Sequence, residues 1–203
     1  MTSADSRRLR AATFGRSGMA RFVPQTAVLS ADDVARALKR MAHEIIEANS
    51  GLEDVIIIGL ERGGVPIARA IADSLEDFEG HPIEFGTMDI SFYRDDISTT
   101  SILPEVTNMP YSVTEKHVVL CDDVLFTGRT VRSALDAVTD FGRPKSIQLA
   151  VMVDRGHREL PIRPDYVGKN IPTSREESVR VSLDGVELGR TEELAAGTRE
   201  EDE

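Results

Sequence analysis

The chain has 203 residues, 40% of them hydrophobic, enough for one domain with a substantial core. Its 24 basic against 35 acidic residues leave a net charge of −11, which excludes nucleic-acid capture by overall charge, so any such contact needs a local basic patch. One cysteine excludes an internal disulfide and fits a reducing cytoplasm. No apolar run reaches the ~18 residues of a membrane span, and the arginine-rich start lacks the apolar segment of a secretory signal.

In chain order, residues 1–25 read as a charged, disordered tail, with five arginines against Asp5 in the first 21. Ser30 is an N-cap, with Asp32 and Asp33 in the first turn of an amphipathic helix over about 30–48. Val34, Leu38, Met41 and Ile45 form its apolar stripe. The run VIIIGL (55–60) is β-branched and wholly apolar, a strand buried on both faces. Glu61-Arg62-Gly63-Gly64 breaks it, and a helix opening near Pro66 runs to Gly80. Residues 83–92 alternate loosely, predicting a strand with a bulge at Gly86, and the polar stretch 94–115 has no periodicity. The next strand, HVVLC (117–121), ends in Asp122-Asp123. A loop and a helix marked by Val131, Ala134, Leu135 and Val138 lead to SIQLAVMV (146–153), forming a βαβ unit. Residues 179–188 alternate around Asp184-Gly185 as a hairpin. Residues 189–203 close the chain as an acidic tail. The architecture is α/β, a mostly parallel sheet with helices on both faces.

Ligands of such sheets sit beyond the C-terminal ends of the strands. Three polar loops follow apolar strands at that edge: 61–64, 122–130 and 154–157. Thr127-Gly128-Arg129-Thr130 opens a helix, where backbone N–H groups and hydroxyls make a phosphate cradle. The two carboxylates before it suit hydroxyls or a hard cation, so a ribose 5-phosphate satisfies both halves. Neither GxxxxGK[ST] nor GxGxxG occurs, which disfavours nucleotide hydrolysis and dinucleotide binding. Cys121 reads as a small buried hydrophobe. The histidines at 43, 81, 117 and 157 have no metal-ligand spacing.

The stretch VVLCDDVLFTGRT (118–130) resembles the signature by which type I phosphoribosyltransferases bind 5-phosphoribosyl 1-pyrophosphate (PRPP). RALKRMAHEIIE (36–47), DISFYRDD (89–96), GRPKSIQLAVMVDRGHRELPIRPDYVGKNIPTS (142–174) and VSLD (181–184) resemble one branch of that family. Its members regulate pyrimidine operons and are also uracil phosphoribosyltransferases. The likeness spans about 26–185 and implies a phosphoribosyltransferase domain over 26–188, with a small hood and a flexible loop. The implied reaction joins uracil and PRPP to give UMP and pyrophosphate. The implied regulation is UMP-dependent binding to a stem-loop in leader mRNA, causing transcriptional attenuation. Two alternatives are an RNA-binding nucleotide sensor with little catalysis and a phosphoribosyltransferase for another base.

The resemblance also implies residue roles. PRPP would be held by Glu61, Arg62 and Gly63, by Asp122 and Asp123 on the ribose hydroxyls, and by Val124, Leu125, Phe126, Thr127, Gly128, Arg129 and Thr130. Arg62 and Asp123 would be catalytic, with Tyr93 and Arg94 on a loop that closes over PRPP. Mg²⁺ would come in with the substrate, bound mostly by substrate oxygens and water. The base would meet Asp154, Arg155, Lys169 and Val181. Relatives acting on 6-oxopurines carry an acid immediately before the TG, where this chain has Phe126. RNA would meet the stripe Arg36, Lys39, Arg40 and His43 and a second set, His157, Arg158 and Arg163. The branch implies a homodimer or homotetramer, cytoplasmic, with no membrane partner.

Overall fold

Six consecutive apolar residues, Val55–Leu60, form β2, buried along its whole length at the middle of a parallel sheet. The computed structural model describes residues 20–61, 63–90 and 107–193. Arg62, Tyr93 and Arg94 lie outside the described residues, as do positions 1–19 and 194–203 of the expected tails. The elements are β1 (Ala20–Ser30), α1 (Ala31–Asn49), β2, α2 (Gly64–Glu79), β3 (Glu84–Met88), β4 (His117–Leu125), α3 (Arg129–Val138), β5 (Ser146–Asp154), β6 (Tyr166–Asn170), β7 (Glu177–Ser182) and β8 (Gly185–Glu193).

The main sheet has the order β3-β2-β4-β5-β6, parallel throughout. Side chains alternate faces along each strand. Ile57, Val119, Cys121, Ala150 and Met152 therefore pack with α1 and α2, while Ile56, Ile58, Val118, Leu120 and Val151 pack with α3. Each such aliphatic side chain contributes about 1.5–3 kcal/mol on burial. Gly59 lets α2 lie close on β2: a Cβ there would stand 2.7 Å from the Val65 backbone. Helix α1 starts as predicted. The Ser30 hydroxyl accepts from the Asp33 N–H, and the Asp33 carboxylate accepts from the Ser30 N–H at 3.0 Å, a capping box.

Three expectations change. There is no bulge at Gly86, because Glu84–Met88 run in unbroken register beside Ile56–Leu60. The glycine serves a close approach instead, since a Cβ there would come within 2.7 Å of the Met109 sulfur. Second, β6 was unseen in the sequence: it is short, begins after Pro164-Asp165, and buries mainly Tyr166. Third, residues 20–25 and 189–193 are not tail. They belong to β1 and β8, which pair antiparallel in a second sheet ordered β1-β8-β7. Charges that looked solvated are complementary across this ladder, with Arg21 opposite Glu192. Pro24 is tolerated because β1 is an edge strand and its register shifts between Pro24 and Thr26.

Candidate active site

The parallel strands β2, β4, β5 and β6 end at one edge, with Gly59 beside Cys121, Asp122 beside Val151 and Val153 beside Lys169. Strand β4 does not stop at Cys121. It runs through both aspartates to Leu125, paired to β5 as far as Asp154. Asp122 and Asp123 thus sit on strand, not loop, and strand alternation sends them to different neighbours. Asp122, 7% exposed, lines a cavity at the start of α3. Asp123, half-buried, faces the 61–64 turn.

That contact explains the double glycine. A Cβ on Gly63 would fall inside the Asp123 carboxylate, and one on Gly64 inside the Cys121 carbonyl. Only two residues without side chains let the turn after β2 lie against the end of β4. Glu61 is tied to this edge by its N–H, which donates to the Met88 carbonyl at 2.8 Å.

The cavity measures about 350 Å³ and is lined by Asp122, residues 124–131 and Glu159. Gly128 caps α3 at φ +93°, a backbone conformation that favours glycine. Arg129 reaches Glu159 through Nε and Nη2, both at 2.9 Å. A helix N-terminus and two hydroxyls beside an open cleft suit a phosphate group.

The segment 154–162 lies against this loop, and its charged side chains are already engaged. Asp154 Oδ1 accepts from the Gly156 N–H at 2.9 Å and Oδ2 from Arg158 at 2.5 Å. Arg155 is 8% exposed. It donates to Thr173, to the Ser174 carbonyl at 2.9 Å and to the Glu177 carbonyl at 2.5 Å, and lies 4.2 Å over the Phe126 ring. Burial pulls its guanidinium below the ordinary arginine range, with Glu177 opposing. Both side chains, expected at the base, are thus engaged within the protein. Lys169 is exposed on β6, and Val181 packs against the core from β7. Neither lines the cavity.

The expected RNA contacts divide. His157 Nε2 sits 2.5 Å from the Thr173 carbonyl, and its ring meets Phe126 edge-on. Arg158 is taken up by Asp154 and backbone carbonyls. Both turn inward, which corrects their placement on an open basic face. Arg163 is exposed, as are Arg36, Lys39, Arg40 and His43 along α1. Burial pushes the Cys121 thiol well above its ordinary value, with Asp122 adding to the effect, so it is no nucleophile. Among the described residues no group of three His, Cys, Asp or Glu could hold a metal ion. Sequence reasoning missed Glu159, Leu160 and Ile162 at the loop; RELPI carries no motif that announces such contacts.

A model of the phosphoribosyl transferase domain matches residues 24–185. A Bifunctional protein PyrR of Chloroflexus aurantiacus is 58% identical over 165 residues, covering 79% of this chain and 91% of the relative. The chain belongs to the PyrR group of phosphoribosyltransferase-domain proteins. PyrR of Deinococcus radiodurans is 52% identical, covering 81% of this chain and 93% of the relative. PyrR of Acetivibrio thermocellus is 49% identical, covering 87% and 99%. Among solved structures, the hypoxanthine phosphoribosyltransferase of Trypanosoma cruzi matches with a TM-score of 0.66 at 19% identity, covering 83% of this chain and 98% of that one. That of Staphylococcus aureus matches at 0.59 and 20%, covering 73% and 78%. At such identity these two establish the phosphoribosyltransferase fold.

Proposed function

We propose that this protein transfers the phosphoribosyl group of PRPP to uracil and, when UMP is bound, holds a stem-loop of pyrimidine leader mRNA. The observation that carries the enzymatic half is the continuity of β4. One strand delivers two carboxylates and then turns, on a left-handed glycine, into a cavity at a helix N-terminus. In this reading residues 126–130 hold the 5-phosphate, and Asp122 and Asp123 hold the ribose hydroxyls. Glu61, Arg62 and Gly63 face the pyrophosphate, and Tyr93 and Arg94 close over it.

Uracil N1 forms the new bond at the anomeric carbon and loses its proton. The bond to pyrophosphate breaks, through an oxocarbenium-like transition state. The protein positions the partners and stabilises the leaving charge. Mg²⁺ bound with PRPP would supply charge neutralisation at the pyrophosphate, with Asp122 and Asp123 as the nearby carboxylates that could meet it. Phe126, wedged between Arg155 and His157, gives the site an apolar wall where a purine enzyme needs an acid. With Asp154 and Arg155 engaged, base recognition falls to backbone groups of the strap, residues 154–162.

The regulatory half rests on α1, whose exposed stripe Arg36, Lys39, Arg40 and His43 is a compact basic surface on an acidic chain. We place the protein in the cytoplasm as a homodimer or homotetramer. Among the described residues no helix is long and apolar enough to cross a membrane. The deciding assay incubates the protein with PRPP and Mg²⁺ and, separately, uracil, cytosine, hypoxanthine or guanine. UMP from uracil alone supports the reading. No product from any base, in folded protein that binds PRPP, leaves a nucleotide-sensing RNA regulator; product from another base names a different transferase.

A further inference from the structure

The phosphate loop does not hold its own shape. The Leu125 carbonyl accepts from the Arg155 N–H at 3.1 Å, and the Phe126 carbonyl from Arg158 Nη1 at 2.9 Å. The Thr127 carbonyl accepts from the Glu159 and Leu160 N–H groups at 3.0 and 3.2 Å. Three successive carbonyls are thus turned toward one segment, 155–160. A trans peptide points its C=O and N–H in opposite directions. Turning these carbonyls toward the strap turns the N–H groups of Phe126, Thr127 and Gly128 away from it. Leu160 and Ile162 close the same side, each 3.5 Å from where a Gly128 Cβ would stand.

Three of these donors are backbone N–H groups. The fourth is a side chain. Arg158 also donates to the Gly156 carbonyl at 3.2 Å and, through Nε, to the Ile162 carbonyl at 3.0 Å, while Asp154 clamps Nη2 at 2.5 Å. Its planar fork links the end of β5, both sides of the strap and the start of the phosphate loop.

We propose that Arg158 is a positioning residue of the phosphoribosyl site, one that aims the Phe126–Thr130 backbone at the 5-phosphate through its bonds to Phe126, Gly156, Ile162 and Asp154. The proposal rests on the phosphoribosyltransferase reading above. It also removes Arg158 from the RNA surface: its guanidinium faces the enzyme's own backbone. Because the 5-phosphate is held alike in the ground and transition states, loss of aim weakens binding and spares the chemical step.

The test measures ribose 5-phosphate and PRPP binding calorimetrically on the full chain, with steady-state kinetics beside it. Lysine keeps the charge but not the fork. We expect Arg158→Lys to weaken ribose 5-phosphate by about tenfold or more, the equivalent of one charge-assisted bond. The KM for PRPP should rise in parallel, while kcat and the uracil KM at saturating PRPP hold within about twofold. Added guanidinium should restore part of the affinity of Arg158→Ala, which a merely structural lesion does not allow. Arg143→Ala, an exposed arginine away from the cavity, serves as the control. If Arg158→Lys does not fold, Asp154→Asn, which releases the clamp but keeps an acceptor for Gly156, takes its place with the same expectation. Wild-type affinity for ribose 5-phosphate in the folded variant overturns the proposal, as does a loss confined to RNA binding. Wild-type protein that binds neither ribose 5-phosphate nor PRPP defeats the phosphoribosyltransferase reading itself, and the proposal with it.

Discussion

Two regions of this acidic chain look alike as sequence: the basic stripe on α1 and the basic strap after β5. In three dimensions they are opposites. Along α1, Arg36 and Arg40 pair with Asp33 and Glu44 at the surface, with about half or more of each arginine side chain in solvent. Lys39 stands exposed between them, and His43 stacks on Phe78 at 4.0 Å. In the strap, Arg155 and Arg158 close on backbone carbonyls and the Phe126 ring. A helix face keeps its charges out because its own backbone is already bonded. A loop has carbonyls with no ladder partner, and arginine forks satisfy them. Charge density in a sequence therefore counts charges without saying which are available.

The largest expected difference lies in stability. Asp154→Ala leaves Arg158 part-buried without its carboxylate, which we expect to cost about 2 kcal/mol in urea unfolding. Arg40→Ala is intermediate. Its pair with Glu44 is solvated, but Nη2 also reaches the Val167 and Gly168 carbonyls at 2.8 and 3.0 Å. We expect a loss of about 1 kcal/mol. If the two variants cost the same, the distinction between an engaged strap and an open helix face fails.

What could be read from the sequence follows the same division. Helix α1, the buried strand β2 and the βαβ unit around β4 were legible because apolar periodicity and capping are local signals. The turn at 126–130 was legible because its residue types are written consecutively. Strand β1 was hidden by Pro24 and by charges whose partners lie more than 160 residues away in β8. Strand β6 is too short to show a period. Gly63 and Gly64 were visible as a turn, but their cause, the approach of Asp123 and the Cys121 carbonyl, is a tertiary contact. The roles of Asp154, Arg155, His157 and Arg158 depend on carbonyls exposed only by the loop's course, and no spacing rule encodes that.

A third substitution sharpens the comparison on the side of function. Lys39→Ala removes an exposed charge, so unfolding should shift by no more than about 0.5 kcal/mol. If α1 is the RNA face, the same change should lower the slope of log affinity against log salt by about 1 for a leader stem-loop. Unchanged affinity and slope would return the stripe to being an ordinary solvated helix face.

The smallest effect is a matter of pH. Hydrogen bonds from the Ser30 side chain and backbone, with Arg36 adding, hold the Asp33 carboxyl below its ordinary value of 3.8. A carboxylate lowered on folding stabilises the native state fully above its unfolded pKa, and that contribution is lost as pH falls through the folded one. The capping box therefore supports α1 at neutral pH and fails only below about pH 4. Asp33→Ala should be less stable than wild type at pH 7, with the gap narrowing as pH drops beneath that point. Asp33 is only partly buried, so water screens its charge and keeps the gap small. A gap that stayed constant down to pH 2 would mean that the carboxylate does not anchor the helix, and that Arg36 is held on the stripe by something other than its pair with Asp33.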